Sequence, residues 1–258
     1  MKSKKVTSGS MEKKNCNRCY EEKDRVGDKK LLVKMLRDLM ALKKEDWCQY
    51  AFNQDPLKEK ISDKQKKVLM NQAIECGKDF GQKVCGKYKT RDPDQLAEKM
   101  KIQVSSLSDD NLTFPLFAQY YEPNQIQLNE RLICQAEQLT ADPEIAAVLS
   151  DGFEVRKLIL AHEIFHHVEE QYKNQIFTQN EKIRLWSFGP FHNDSKILSL
   201  SEIGAMTFAC EITKTSYSPY LIDVLLLFEE DSTAAFDIYK EMMEGSRNDS
   251  EEERRNVK

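Results

Sequence analysis

A mostly helical α+β fold with a small antiparallel sheet is predicted by three features of this sequence. Glycine is scarce, 9 residues in 258, and apolar residues recur at three- and four-residue intervals through long charged stretches, as amphipathic helices require. One region breaks that rhythm. Phe114 to Tyr121 and Gln125 to Leu128 are rich in strand-forming residues and flank Glu122-Pro123-Asn124, which predicts a β-hairpin. Finally, a helical pattern free of Gly and Pro runs from Phe153 to Glu170 and contains His162-Glu163-Ile164-Phe165-His166, an H-E-x-x-H motif.

Taken in order, residues 1–28 are polar and lack periodicity, so a disordered basic N-terminus is expected. They include Cys16-Asn-Arg-Cys19, a C-x-x-C pair with no second pair or nearby histidine to complete a metal site. Residues 29–91 read as a basic helical extension. Leu32, Met35, Leu36 and Leu39 line one side of a first helix, Asp55-Pro56 interrupts it, and Ser62-Asp63 caps a second running toward Tyr88. Residues 92–244 read as the main domain. Asp92-Pro93-Asp94 opens a short helix to Lys101, Ile102 to Val104 is strand-like, and the hairpin follows. Asn129 to Leu139 is helical until Ala141-Asp-Pro143 breaks it. Beyond the motif helix, 174–200 reads as a loop containing Gly189-Pro190, and helices cover 200–213, 219–229 and 231–243. Residues 245–258 are expected to form a disordered charged tail.

Charge is divided unevenly along the chain. Residues 1–91 hold 24 Lys and Arg against 13 Asp and Glu, the remainder holds 15 against 30, and the net charge is −4. Tethered segments of opposite charge are predicted to dock, so 29–91 should pack on the acidic part. Direct nucleic-acid binding by these basic helices is the less favoured reading. The strongest apolar run, Val224 to Phe228, is five residues, far short of a membrane span. No secretory signal opens the chain. A cytoplasmic protein with no membrane partner is expected, its seven cysteines reduced and several of them buried.

The motif has a physical logic. Residues four apart on a helix lie on one face, so the imidazoles of His162 and His166 can converge on one metal ion. Zinc suits two neutral imidazoles, a third protein ligand and a water, and Glu163 sits where it can reach that water. The helix is apolar before the motif and acidic after it, so it is expected to run from core to surface. Two residues could be the third ligand, His192 in the loop and Glu202 near the start of the next helix. Glu202 is favoured, although Ser199-x-x-Glu202 also reads as a capping box.

The run Ala161-His-Glu-Ile-Phe-His166, the preceding hairpin ending Ile126-Gln-Leu-Asn129, and Glu202-x-x-Ala205-x-x-Phe208-Ala209-x-Glu211-Ile212 together resemble the ImmA/IrrE metallopeptidases. The resemblance covers residues from about 92 to 215. It implies a zincin-like, gluzincin-type peptidase domain with Zn2+ on His162, His166 and Glu202, and Glu163 as catalytic acid/base. It further implies a zinc-dependent endopeptidase hydrolysing a specific intracellular protein, a helix-turn-helix transcriptional repressor, in mobile-element or stress regulation. The competing reading is a DNA- or protein-binding regulator that uses such a domain as a scaffold. Gly204 and Met206 depart from the family, which usually has Glu and Asn or Asp there; the latter would support a metal-bound histidine. His192, Tyr217 and Tyr220 are the candidate donors to a developing oxyanion.

Overall fold

Leu32, Met35, Leu36 and Leu39 are fully buried on one face of helix α1 (29–40), as their spacing demands. The computed structural model describes residues 29–107, 116–149, 153–215 and 220–256, with side chains to 244. The expectations for 1–28, for Cys16 and Cys19, for Phe114 and for Tyr217 therefore lie outside the described residues. Helix α2 (Lys44–Asn53) buries Trp47, Ala51 and Phe52. Ser62 caps α3 (Asp63–Tyr88): its Oγ accepts from the Gln65 N–H while Gln65 Oε1 accepts from the Ser62 N–H, a reciprocal capping box. Asp92 caps α4 (Pro93–Lys99) in the same manner, accepting from the Gln95 N–H at 3.0 Å.

Strands β1 (Gln103–Ser106), β2 (Ala118–Tyr121) and β3 (Gln125–Leu128) form one sheet in the order β1-β3-β2. The β2–β3 hairpin is antiparallel, as expected, but β1 runs parallel to β3, with Val104 opposite Ile126. The small antiparallel sheet is thus a mixed one. The chain leaves β1 and enters the far edge first, so the return strand of the hairpin meets β1 running in the same direction. Asn129 then caps α5 (Glu130–Thr140), accepting from the Leu132 N–H at 3.2 Å. Helices α6 (Pro143–Leu149), α7 (Val155–Gln171) and α8 (Phe177–Asn180) follow.

The segment 174–200 is not a loop. It holds α8 and a second hairpin, β4 (Lys182–Phe188) with β5 (Phe191–Lys196). Half-buried Ile183 and Leu185 alternate with exposed Lys182, Arg184 and Trp186, a period-two signal within a stretch otherwise rich in turn residues. Gly189 turns it at φ +57°, a conformation open to glycine without strain. Trp186, Phe188 and Phe191 stand exposed on this hairpin. Helices α9 (Leu198–Thr213), α10 (Leu221–Phe228) and α11 (Ser232–Asn256) complete the chain. Where a disordered tail was expected from 245, α11 continues to Asn256. The run of Glu and Arg there consists of good helix formers.

Two apolar cores result. One lies under the first sheet and around α7 and includes Leu96, Ile126, Leu132, Leu160, Phe165 and Phe208. The other joins α1 and α2 to α9, α10 and α11 through Leu32, Leu36, Phe52, Leu200, Leu221 and Val224. α3 feeds both, giving Val84 to the first and Met70 to the second. The helices of 29–91 thus pack on the rest, chiefly through apolar contact. Ion pairs such as Lys29–Asp142 at 2.7 Å and Arg91–Glu211 at 3.3 Å are half-exposed. Such solvent-screened pairs contribute little, against ~1.5–3 kcal/mol for each buried leucine. Among the described residues Cys48, Cys76 and Cys85 are free and buried, and no helix is long and apolar enough to cross a membrane.

α3 crosses α9 at glycine. A Cβ on Gly77 would lie 2.3 Å from the Gly204 carbonyl oxygen, and one on Gly204 would lie 2.8 Å from Phe165 Cζ on α7. Backbone on one side leaves no room to yield. Gly77→Ala should therefore push α3 off α9 and lower stability by roughly 1–3 kcal/mol. Gly86→Ala is the control, because a Cβ there meets nothing within 4 Å and alanine favours the helix by up to about 1 kcal/mol. Chemical denaturation midpoints of the two variants separate packing from propensity.

Candidate metal centre

His162 and His166 project one turn apart from α7, and their Nε2 atoms stand 3.2 Å apart. Glu202, in the second turn of α9, brings Oε2 to 3.4 Å from His162 Nε2 and Oε1 to 4.0 Å from His166 Nε2. One ligand atom from each of the three lies within 4.8 Å of the others, a group able to hold a metal ion. A tetrahedral ion with bonds of ~2.0–2.2 Å would set neighbouring ligand atoms roughly 3.3–3.6 Å apart. The two imidazoles also face each other nitrogen to nitrogen at hydrogen-bonding distance, an arrangement that a shared proton or a shared cation can satisfy. Donor type and spacing both fit an ion.

Glu202 is free to do this because it is not part of a capping box. Ser199 lies inside α9, whose N-cap, Ile197, makes no side-chain cap bond. Buried Asp55 does the capping instead. Its Oδ2 accepts from the Ser199 N–H and its Oδ1 from the Leu57 N–H, both at 2.8 Å. A residue read only as an interruption after α2 thus anchors the helix that carries the third ligand.

A second missed residue is Glu169. The acidic end of α7 was expected at the surface, yet Glu169 is 3% exposed. Its Oε2 lies 3.0 Å from His166 Nδ1 and accepts from Ser201 Oγ at 2.6 Å, while Oε1 accepts from Thr178 Oγ1. A carboxylate on Nδ1 fixes the tautomer and turns the lone pair of Nε2 toward the ion. The signal was present as His166-x-x-Glu169, three residues apart on one helix face. His162 has no such support: among the described residues its buried Nδ1 has no hydrogen-bond partner, and Met206, which offers no hydrogen-bonding group of its own, lines the same cleft.

The cleft over these residues encloses about 420 Å3. Tyr50 of α2, Phe117 before β2, Leu158 of α7 and Leu226 of α10 supply apolar wall, and Glu163 and Asp223 also face it. Glu163 is 8% exposed. Asp223 was not anticipated from sequence; burial pushes its acid up to about 7, with Glu202 adding to the rise and His162 opposing it. His167 is not a ligand. Its Nδ1 lies 3.1 Å from Pro123 O and 3.2 Å from Tyr120 Oη, while Gln171 Nε2 lies 2.8 Å from its Nε2. A carbonyl can only accept, so Nδ1 carries the proton and the ring pins the β2–β3 turn to α7. Burial holds His167 below the usual histidine range. His192 lies exposed on β5, 3.5 Å from Asp194 and outside the metal-binding group. Tyr220 lines the cleft, buried, its ring stacked on Trp47 at 5.9 Å.

The charges predict how an ion is taken up. Burial would lower the His166 pKa, but the bond to Glu169 and the charges of Glu163 and Glu202 raise it to about 9. Glu202 is held down to about 2: burial raises it, and His162 and His166 more than reverse that. At neutral pH an ion must therefore expel a proton from His166, not from Glu202. Apparent affinity should rise about tenfold per pH unit until pH ~9 and then level, with at least one proton released per ion. Calorimetry in buffers of different ionisation heat measures this directly. Glu169→Gln should weaken metal binding by about 10- to 100-fold and move the levelling point to lower pH, since it removes a charge that raises His166. Comparisons with protein-family models, with curated proteins and with solved structures returned no match to this chain.

Proposed function

We propose that this chain is a zinc-dependent endopeptidase of zincin-like architecture. The observation that carries the reading is three protein donors at metal spacing beneath a cleft that also holds a buried, uncommitted glutamate. Structural zinc sites take four protein ligands, usually with cysteine, whereas three ligands leave a position open for chemistry. Two imidazoles and a carboxylate suit zinc. The resemblance of residues 92–215 to the ImmA/IrrE metallopeptidases supports the same assignment.

A zinc ion on His162, His166 and Glu202 would supply Lewis acidity, polarising a peptide carbonyl and lowering the pKa of water toward neutrality. Glu163 accepts the proton of the attacking water and passes it to the leaving amine. Glu169 keeps His166 in the liganding tautomer throughout. β2 is an edge of its sheet and is tied to α7 through Tyr120 and His167. An extended substrate added to that edge would lie along the cleft, its main chain held by strand pairing. The substrate class proposed is an intracellular regulatory protein, a helix-turn-helix repressor, in the cytoplasm.

Glu163→Gln is the decisive variant, because an amide cannot take up the proton. It should retain metal and fold and lose about 10²- to 10⁴-fold in cleavage, read by mass spectrometry against a pool of peptides from intracellular proteins. Turnover at the wild-type rate would eliminate Glu163 as the base. Metal analysis tests the ligand set independently: Glu202→Ala should empty the site and His192→Ala should leave it filled.

A further inference from the structure

Asp223 faces the same cleft as His162, Glu163 and Glu202 but lies outside the ligand group. It is half-buried on α10, and among the described residues no hydrogen bond or ion pair reaches its carboxylate. Its neighbours on the same wall include Ile222 and Leu226. Leaving a carboxylate unpaired in such a wall is costly, and burial already drives its acid to about 7. Neither lysine nor arginine is among the lining residues, and His162 and the first turn of α10, where Asp223 sits, offset its charge only in part.

The charge balance points the same way. Among the groups that line the cleft, the carboxylates of Glu202 and Glu163 match a divalent ion held by two neutral imidazoles, while Glu169 behind His166 is satisfied by its own hydrogen bonds. Asp223 is then one negative charge in excess, and a single positive charge on the ligand would cancel it. Bringing in a cation also restores the ionised form that burial disfavours. The apolar wall beside it suits the methylene stem of a long basic side chain.

We propose that Asp223 recognises a cationic group of the substrate next to the scissile bond, either a lysine or arginine side chain or a free amino terminus. The proposal rests on the peptidase reading of the metal centre. The two sources share one chemistry and are separable with peptides. Three octapeptides of alanine and serine serve as probes: one blocked at both ends with a central lysine, its norleucine counterpart, and the norleucine peptide with a free amino terminus. Calorimetric titration uses the metal-loaded full chain carrying Glu163→Gln, which spares the peptides.

One of the two cationic probes should bind about 10- to 100-fold tighter than the blocked norleucine peptide, the range expected of a charged hydrogen bond. The advantage should vanish with Asp223→Asn, while metal content, melting temperature and affinity for the norleucine peptide stay unchanged. A gain for the lysine probe assigns a side-chain pocket, and a gain for the free terminus assigns amino-terminal recognition. Equal or undetectable binding of all three, or an advantage that survives Asp223→Asn, overturns the proposal. The lysine–norleucine comparison needs no change at Asp223, so a misfolded variant does not shield it. Cleavage of the same peptides by the unmodified chain decides the peptidase reading separately, and the two can fail independently.

Discussion

The crossing of α3 over α9 at Gly77 and Gly204 holds the molecule's functional parts in register. With hydrogen in place of a side chain on both, the two helices approach until a Cβ on one would overlap the backbone of the other. The same Gly204 receives Phe165 from α7. Three helices therefore meet at one point, and Glu202 and His166 sit two residues before Gly204 and one after Phe165. Interiors packed at this density do not deform continuously. A shift of α9 by even part of an ångström would move Glu202 away from the histidine pair, whatever the local sequence around the motif.

A buried polar network secures the other half of the geometry. A carboxylate buried as deeply as Glu169 costs several kcal/mol unless its oxygens are satisfied. Ser201 and Thr178 satisfy both and leave one oxygen shared with His166. Thr178 comes from the short α8, and Ser201 from the first turn of α9. That turn is itself anchored by Asp55, from the far side of residue 91. The chain thus links its front segment, α8, α9 and His166 through contacts that satisfy both oxygens of Asp55 and of Glu169, and satisfied carboxylates of this kind help to specify one arrangement.

How much of this could be read in advance follows from the range of each interaction. The histidine pair depends on a four-residue spacing within one helix, and it was legible. So were the cap at Ser62, the helix starts at Asp92 and Asn129 and the apolar stripe of α1, which all act within one or two turns. Glu202 was legible only as one of two candidates, because its competing role as a cap depended on where α9 begins. Asp55 removed that competition from 144 residues away. Glu169 looked like the surface end of an amphipathic helix, and only α8 folding over it makes it internal. The β4–β5 hairpin was hidden by turn residues that outweighed an alternation of only five residues, Lys182 to Trp186. The parallel pairing of β1 is a matter of chain path rather than of residue type.

The cleft divides along the same line. Its floor, with the candidate metal-binding group, comes from α7 and α9. Much of its wall comes from other helices: Tyr50 from α2 and Ile222, Asp223 and Leu226 from α10. These helices are held in place by the second core, which α1, α2 and α11 help to build. Tyr50, Ile222 and Leu226 are themselves buried members of the two cores, so packing fixes them, and half-buried Asp223 is the wall residue that packing constrains least. The first turn of α10 favours a carboxylate at Asp223, yet the same side chain faces a cleft whose lining holds no lysine or arginine, so the helix explains the residue type and leaves its charge turned toward whatever enters the cleft.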